Sequence, residues 1–125
     1  MKITSLYSPH VITAHRSEIL ATVAARMSRR NIGALPVIDG ARLVGVISER
    51  DLVRAVARGD SSDTPVGQCM SEGAAWIDPD ADSSEAAHHM LTLGVRHLPV
   101  VDHGRIVGMI SARDLLALEA WPTGR

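Results

Sequence analysis

Residues 35–52 read LPVIDGARLVGVISERDL and residues 98–115 read LPVVDHGRIVGMISARDL, the same string displaced by 63 positions without a gap. From Met27 and Met90 to Leu52 and Leu115 the two stretches share 13 identities in 26 positions. Half identity over that length marks a duplication. The same offset reaches weakly back to Ile3/Val66 and Ser8/Ser71. The organisation expected is a first repeat over 1–59, a linker over 60–65, a second repeat over 66–121 and a tail over 122–125. The Gly, Pro and short polar residues of Gly59–Pro65 read as a loop.

Each repeat reads as β-α-β-β-α. Short extended segments near Val11–Ala14 and Ala75–Ile77 lead into helices over 17–30 and 82–93. Leu20, Val23, Ala24 and Met27, and then Ala86, Ala87, Met90 and Leu91, recur at the three- and four-residue spacing of a helix face. The run from Asp78 to Asp82 supplies an N-cap and acidic residues for the positive helix end. Strands follow at Leu35–Ile38 and Leu98–Val101, with Pro36 and Pro99 near their starts. Polar turns at Asp39–Arg42 and Asp102–Arg105 fold the chain back into strands Leu43–Ile47 and Ile106–Ile110, and a second helix opens at Ser48 or Ser111. One such unit is too small to cover both sheet faces. Two units pairing about a pseudo-twofold axis, with clefts where they meet, would make a mixed α/β (α+β) fold.

Composition narrows the function classes. Hydrophobic residues make up 46% and charged residues 22%, as in a folded globular chain. With no Phe, one Tyr and two Trp, there is little to stack single-stranded bases on. Thirteen basic residues against 14 acidic ones create no global field toward nucleic acid or anionic membrane. The single cysteine, Cys69, rules out an intramolecular disulfide. No apolar run reaches the length that spans a bilayer, and MKITSLYSPH lacks a signal-peptide core, so a cytoplasmic protein is expected.

The chemistry lies at the second helix of each repeat. Ser48 and Ser111 place a hydroxyl beside unpaired backbone N–H groups at the positive helix end, suited to a phosphate or a ribose oxygen. Asp51 and Asp114 follow one turn later, where a carboxylate can accept both hydrogen bonds of a ribose diol. The same pattern is also an ordinary N-cap with a dipole partner, and both roles are open. Gly45 and Gly108, in strands, mark close approach by a ligand or by another backbone.

Gly45–Leu52 and Gly108–Leu115 resemble the G-h-x-S/T-x-x-D/N signature of cystathionine-β-synthase-type (CBS) domains, and Ile32–Val37 and Val95–Val100 resemble that family's h-x-x-h-P stretch. Both motifs occur twice, in order, and the resemblance covers nearly the whole chain. It implies a tandem pair that senses AMP, ADP, ATP, S-adenosylmethionine or NAD, associates as a homodimer and, with no effector domain in view, acts in trans on a partner protein. In such families basic residues just before Leu-Pro contact phosphates, often across the repeat boundary. Arg96 and His97 stand there in repeat two, and Gly33 and Ala34 in repeat one. The expected ligand set is therefore Ser48, Asp51, Ser111, Asp114, Arg96, His97, Gly45 and Gly108, with Arg96 and His97 reaching the phosphates of a ligand whose ribose Asp51 holds. Trp76, where repeat one has Thr13, could stack on the base or block it.

Arg50 and Arg113 are phosphate candidates or partners in surface ion pairs, and adjacent His88 and His89 point about 100° apart, too divergent to chelate one ion. Trp121-Pro122 would pack on the other repeat or fray. No nucleophile–base pair, phosphate loop or metal motif points to catalysis, and no cofactor is required. The alternative to a ligand sensor is a ligand-free dimerisation or adaptor domain. Leu52, Val53 and Val56, with Leu115, Leu116 and Leu118, would supply its apolar interface.

Overall fold

In the computed structural model, which describes residues 1–120, the first repeat runs β1 (Ala14–His15), α1 (Leu20–Arg30), β2 (Ala34–Asp39), β3 (Arg42–Ser48) and α2 (Glu49–Arg58). After β4 (Ser71–Glu72) come α3 (Ser83–Leu93), β5 (His97–Asp102), β6 (Arg105–Ser111) and α4 (Ala112–Ala120). Short 3-10 turns at Ile3–Ser5 and Val66–Gln68 precede each set. Trp121, Pro122 and the tail lie outside the described residues, as does the side chain of Leu118.

The duplication is visible in register. β2 pairs antiparallel with β3 so that Val37 faces Gly45, with a shift between Val37 and Ile38. β5 and β6 place Val100 opposite Gly108, with the same shift between Val100 and Val101. Positive φ at the hairpin tips is supplied by Gly40 in one repeat and by His103 and Gly104 in the other. β1 runs parallel to β2, pairing Ala14 with Val37, and Ile77 makes the matching parallel bridge to Val100.

The compact units are not the sequence repeats. One unit is Ile12–Ala74; the other joins Met1–Val11 to the chain from Ala75 onward. Ile3, fully buried, packs with Ile77, Ala86, Leu98 and Ile110, and its N–H reaches the Ala81 carbonyl at 2.9 Å. Val66, its partner at the 63-residue offset, is equally buried among Val23, Leu35, Val37 and Ile47. Residues 60–65 are built into the first unit. The Leu20 N–H donates to the Thr64 carbonyl (2.9 Å) and the Ala21 N–H to that of Ser62 (3.0 Å), covering amides that a helix start leaves open. This corrects the expected helix start at 17. α1 begins at Leu20 because backbone carbonyls, not a side chain, cap it. α3 follows the sequence expectation, with Asp82 as N-cap accepting from the Ser84 N–H at 3.0 Å.

Glu18 serves a different structure. Its carboxylate takes both nitrogens of the Arg26 fork and accepts the His15 N–H (2.9 Å), while Arg26 also donates to the Thr13 carbonyl (2.9 Å). The Arg26 hydrogen bond outweighs partial burial and holds the Glu18 carboxyl at about 2, against an ordinary 4.5. A depressed carboxyl stabilises the fold above its unfolded value and loses that contribution as pH falls toward the folded one. Allowing for residual solvent access, the pair is worth about 1–2 kcal/mol at neutral pH. The stability difference between wild type and Glu18→Gln, measured by urea unfolding, should be about that size at pH 7. It should shrink steadily from pH 5 toward pH 2, and a difference independent of pH would refute the assignment.

Two expected faces need correction. Leu91 is 83% exposed, so the apolar stripe of α3 stops at Met90. On α2 and α4, Leu52 and Leu115 turn to their own cores, leaving Val53, Val56 and Leu116 outward. No helix among the described residues is long and apolar enough to cross a membrane.

Candidate functional site

Ser48 leaves β3 in extended conformation and caps α2. Its Oγ accepts the Asp51 N–H at 3.2 Å, while Asp51 Oδ2 accepts the Ser48 N–H and hydroxyl, each at 2.9 Å. This is a reciprocal capping box with aspartate in the acidic place. The second carboxylate oxygen is also engaged, because Ser71 on β4 donates its hydroxyl to Asp51 Oδ1 at 3.3 Å. Asp51 is only 5% exposed, and these donors are what make its burial tolerable. Of the two roles open in the sequence, the structure shows the helix cap.

The second copy is looser. Asp114 Oδ2 accepts the Ser111 N–H (2.9 Å) and Ser111 Oγ accepts the Asp114 N–H (3.1 Å). Among the described residues, Asp114 Oδ1 accepts no hydrogen bond. Ser8, at the place corresponding to Ser71, exchanges backbone hydrogen bonds with Met109 and turns its hydroxyl to His10 instead. Asp114 is half-buried where Asp51 is buried.

The residues before Leu-Pro lie against the helix opening of their own repeat. The Glu49 N–H donates to the Gly33 carbonyl (3.0 Å), and the Ala112 N–H to that of Arg96 (2.8 Å). His97 pairs across the hairpin with Ser111. Burial pulls its imidazole below the ordinary histidine value against the opposing pull of Asp114, and Arg113 and Arg96 add to the downward side. The residue still has open access to water. Arg96, His97, Ser111, Arg113 and Asp114 are therefore neighbours within one unit.

Gly45 and Gly108 have a packing reason. A Cβ on Gly45 would lie 2.6 Å from Met70 Sδ and 2.7 Å from the Ser71 carbonyl oxygen; on Gly108 it would collide with the Tyr7 ring and lie 2.7 Å from the Ser8 oxygen. What approaches each glycine is the protein's own chain. Trp76 is half exposed, while Thr13, its counterpart, has its carbonyl held by Arg26.

An open cleft of about 690 Å³ lies beside Asp51 in the first unit. Arg54, Arg58, Ser61, Thr64 and Gln68 contribute to its wall, together with Ser71. Sequence reasoning passed over all six. The available signal was the spacing of Arg54 and Arg58, three and seven residues after Asp51 on one helix face.

The CBS domain family model matches residues 3–58 and 66–120. The chain is 31% identical over 106 residues to the CBS domain-containing protein YhcV of Bacillus subtilis, covering 84% of this chain and 76% of that one. A solved CBS domain pair, that of MJ0100 in complex with 5′-methylthioadenosine and S-adenosyl-L-methionine, superposes with a TM-score of 0.82 at 25% identity, covering 96% of both chains. MJ1225 of Methanocaldococcus jannaschii, described as a candidate archaeal homologue of γ-AMPK, gives 0.84 at 26% identity, over 94% of this chain and 47% of that one. With both repeats matched and the duplicated helix-opening motif in place, the chain belongs to the CBS domain family as a tandem pair of CBS domains.

Proposed function

We propose that the chain is a regulatory module that binds an adenine nucleotide or adenosyl compound and acts in trans on a partner protein. Ser48 with Asp51, and Ser111 with Asp114, are the candidate ribose grips; Arg96 and His97 are the candidate phosphate contacts, including contacts that cross to the ribose held by Asp51. The observation that carries the reading is the repetition of the hydroxyl–carboxylate pair at the starts of α2 and α4, one of them beside a cleft. The adenosyl ligands of the MJ0100 pair support the ligand class. A ribose diol engaging Asp51 Oδ1 shares that oxygen with the Ser71 hydroxyl, whereas Asp114 Oδ1 accepts no other hydrogen bond among the described residues. A ligand that prefers one arrangement of the molecule shifts its population and so transmits a signal.

Thermal unfolding with AMP, ADP, ATP, S-adenosylmethionine and NAD tests the proposal. A ligand at one hundred times its Kd adds about 2.7 kcal/mol, a rise of roughly 8–10 °C for a chain of this size. A flat response to the whole panel defeats the sensor reading. The outward Val53, Val56 and Leu116 favour a second reading, a homodimerising adaptor, which a ligand-insensitive dimer in sedimentation equilibrium would support.

A further inference from the structure

We propose that the cleft beside Asp51 is an anion site of the first unit that takes the phosphate of a small phosphorylated molecule on Arg54 and Arg58. Its volume, about 690 Å³, falls in the range of ligand pockets and exceeds what phosphate alone needs. Two arginines and two aspartates line it, and they differ in how far each is already engaged. Asp60 is held by Arg58, whose Nε and Nη2 donate to its Oδ2 at 3.2 and 2.8 Å, leaving Arg58 Nη1 unused in that pair. Asp51 already accepts three hydrogen bonds, from the N–H and hydroxyl of Ser48 and from the Ser71 hydroxyl. Burial first, then Asp60, pushes the Cys69 thiol up, so it adds no negative charge. Arg54 is exposed and makes no ion pair among the described residues. Arg54 and the Arg58 Nη1 left outside the Asp60 pair are thus the cationic donors that the open cleft has to offer.

The remaining wall is suited to a tetrahedral anion. Ser61 accepts the Asp63 N–H at 3.1 Å, which leaves its own O–H free to donate, and Thr64 and Gln68 add a hydroxyl and an amide. Arginine forks match phosphate oxygens in pairs, and neighbouring hydroxyls can take the third. The cleft is not an accident of the duplication. At the 63-residue offset, Ala117 and Trp121 stand where Arg54 and Arg58 are, so the second repeat cannot build the same cation pair. The site shares Asp51 with the adenosyl reading, but it needs neither Ser111 nor Asp114, and its cations are not the Arg96 and His97 of that reading.

The test titrates the full chain with inorganic phosphate, AMP and uncharged adenosine, following backbone amide shifts by NMR and affinity by calorimetry. Phosphate and AMP should both move the amides of Arg54, Ser61, Thr64 and Gln68. Arg54→Gln should weaken both ligands at least tenfold, and Arg30→Gln, exposed at the end of α1 and outside the cleft, should not change the phosphate response. Raising the salt concentration should weaken phosphate binding in wild type and leave any adenosine binding unchanged. An Arg54→Gln protein within twofold of wild type, or a wild type whose cleft amides ignore both anions, overturns the proposal. AMP binding that fails in Asp114→Asn or Arg96→Ala and survives in Arg54→Gln would likewise overturn it while preserving the adenosyl reading. An Arg54-dependent phosphate response with no response to adenosine or to other adenosyl compounds would do the reverse.

Discussion

Gly108→Ala will lower the unfolding temperature by roughly 10 °C, a loss of about 3 kcal/mol, the upper range of overpacking costs. The added methyl carbon would collide with the Tyr7 ring and sit 2.7 Å from the Ser8 carbonyl oxygen. A ring can swing aside, but the Ser8 backbone is fixed by two hydrogen bonds to Met109, so β6 or the leading segment must move. Gly45→Ala meets a more yielding neighbour in Met70 and an equally fixed one in the Ser71 oxygen, and should cost about 2 kcal/mol. Gly33→Ala is the control. Its methyl would find nothing closer than 3.8 Å, so a change within about 0.5 kcal/mol is expected. Equal losses at all three positions in calorimetric melts would show that close approach is not what the glycines provide.

Asp51→Ala should cost about 2–3 kcal/mol, against about 1 kcal/mol for Asp114→Ala. The two residues hold the same place in the motif, and only their surroundings differ. Removing Asp51 strips a helix cap, empties a buried position, and takes the acceptor from the half-buried Ser48 N–H and hydroxyl and from the exposed Ser71 hydroxyl. Removing Asp114 frees one backbone N–H on a half-buried surface that water can reach. Chemical denaturation of the two variants separates the cases. Equal destabilisation would mean that the Ser71 contact and the burial of Asp51 contribute nothing.

The hairpins, both motif serines and both aspartates were legible because they carry dense signals: proline-led strands, a glycine at a tight turn, and a cap with its acid three residues on. The weak echo of Ile3 in Val66 and of Ser8 in Ser71 was visible too, and both pairs do occupy matching places. It could not reveal that the leading segments change units, since a two-residue strand has no period and pairing partners leave no local mark. Leu91 misled because it continues a helical stripe, and stripe position alone does not say how wide the covered face is. Leu52 and Leu115 were assigned outward on apolar character, yet each follows directly on a carboxylate that anchors the first helical turn and fixes which side faces in. The cleft was out of reach. Its wall combines a helix face with a linker read only as a connection.

Swapped leading segments also order events during synthesis. Ile3 leaves the ribosome long before Ala81, Leu98 and Ile110 exist to receive it, while Ile12–Ala74 contains everything its own core requires. The first body can therefore close early, with Ile3 left uncovered until the second half emerges. Cutting the gene at the repeat boundary would be the wrong dissection: the leading fragment would carry Ile3 without a home and lack Val66 from its own interior.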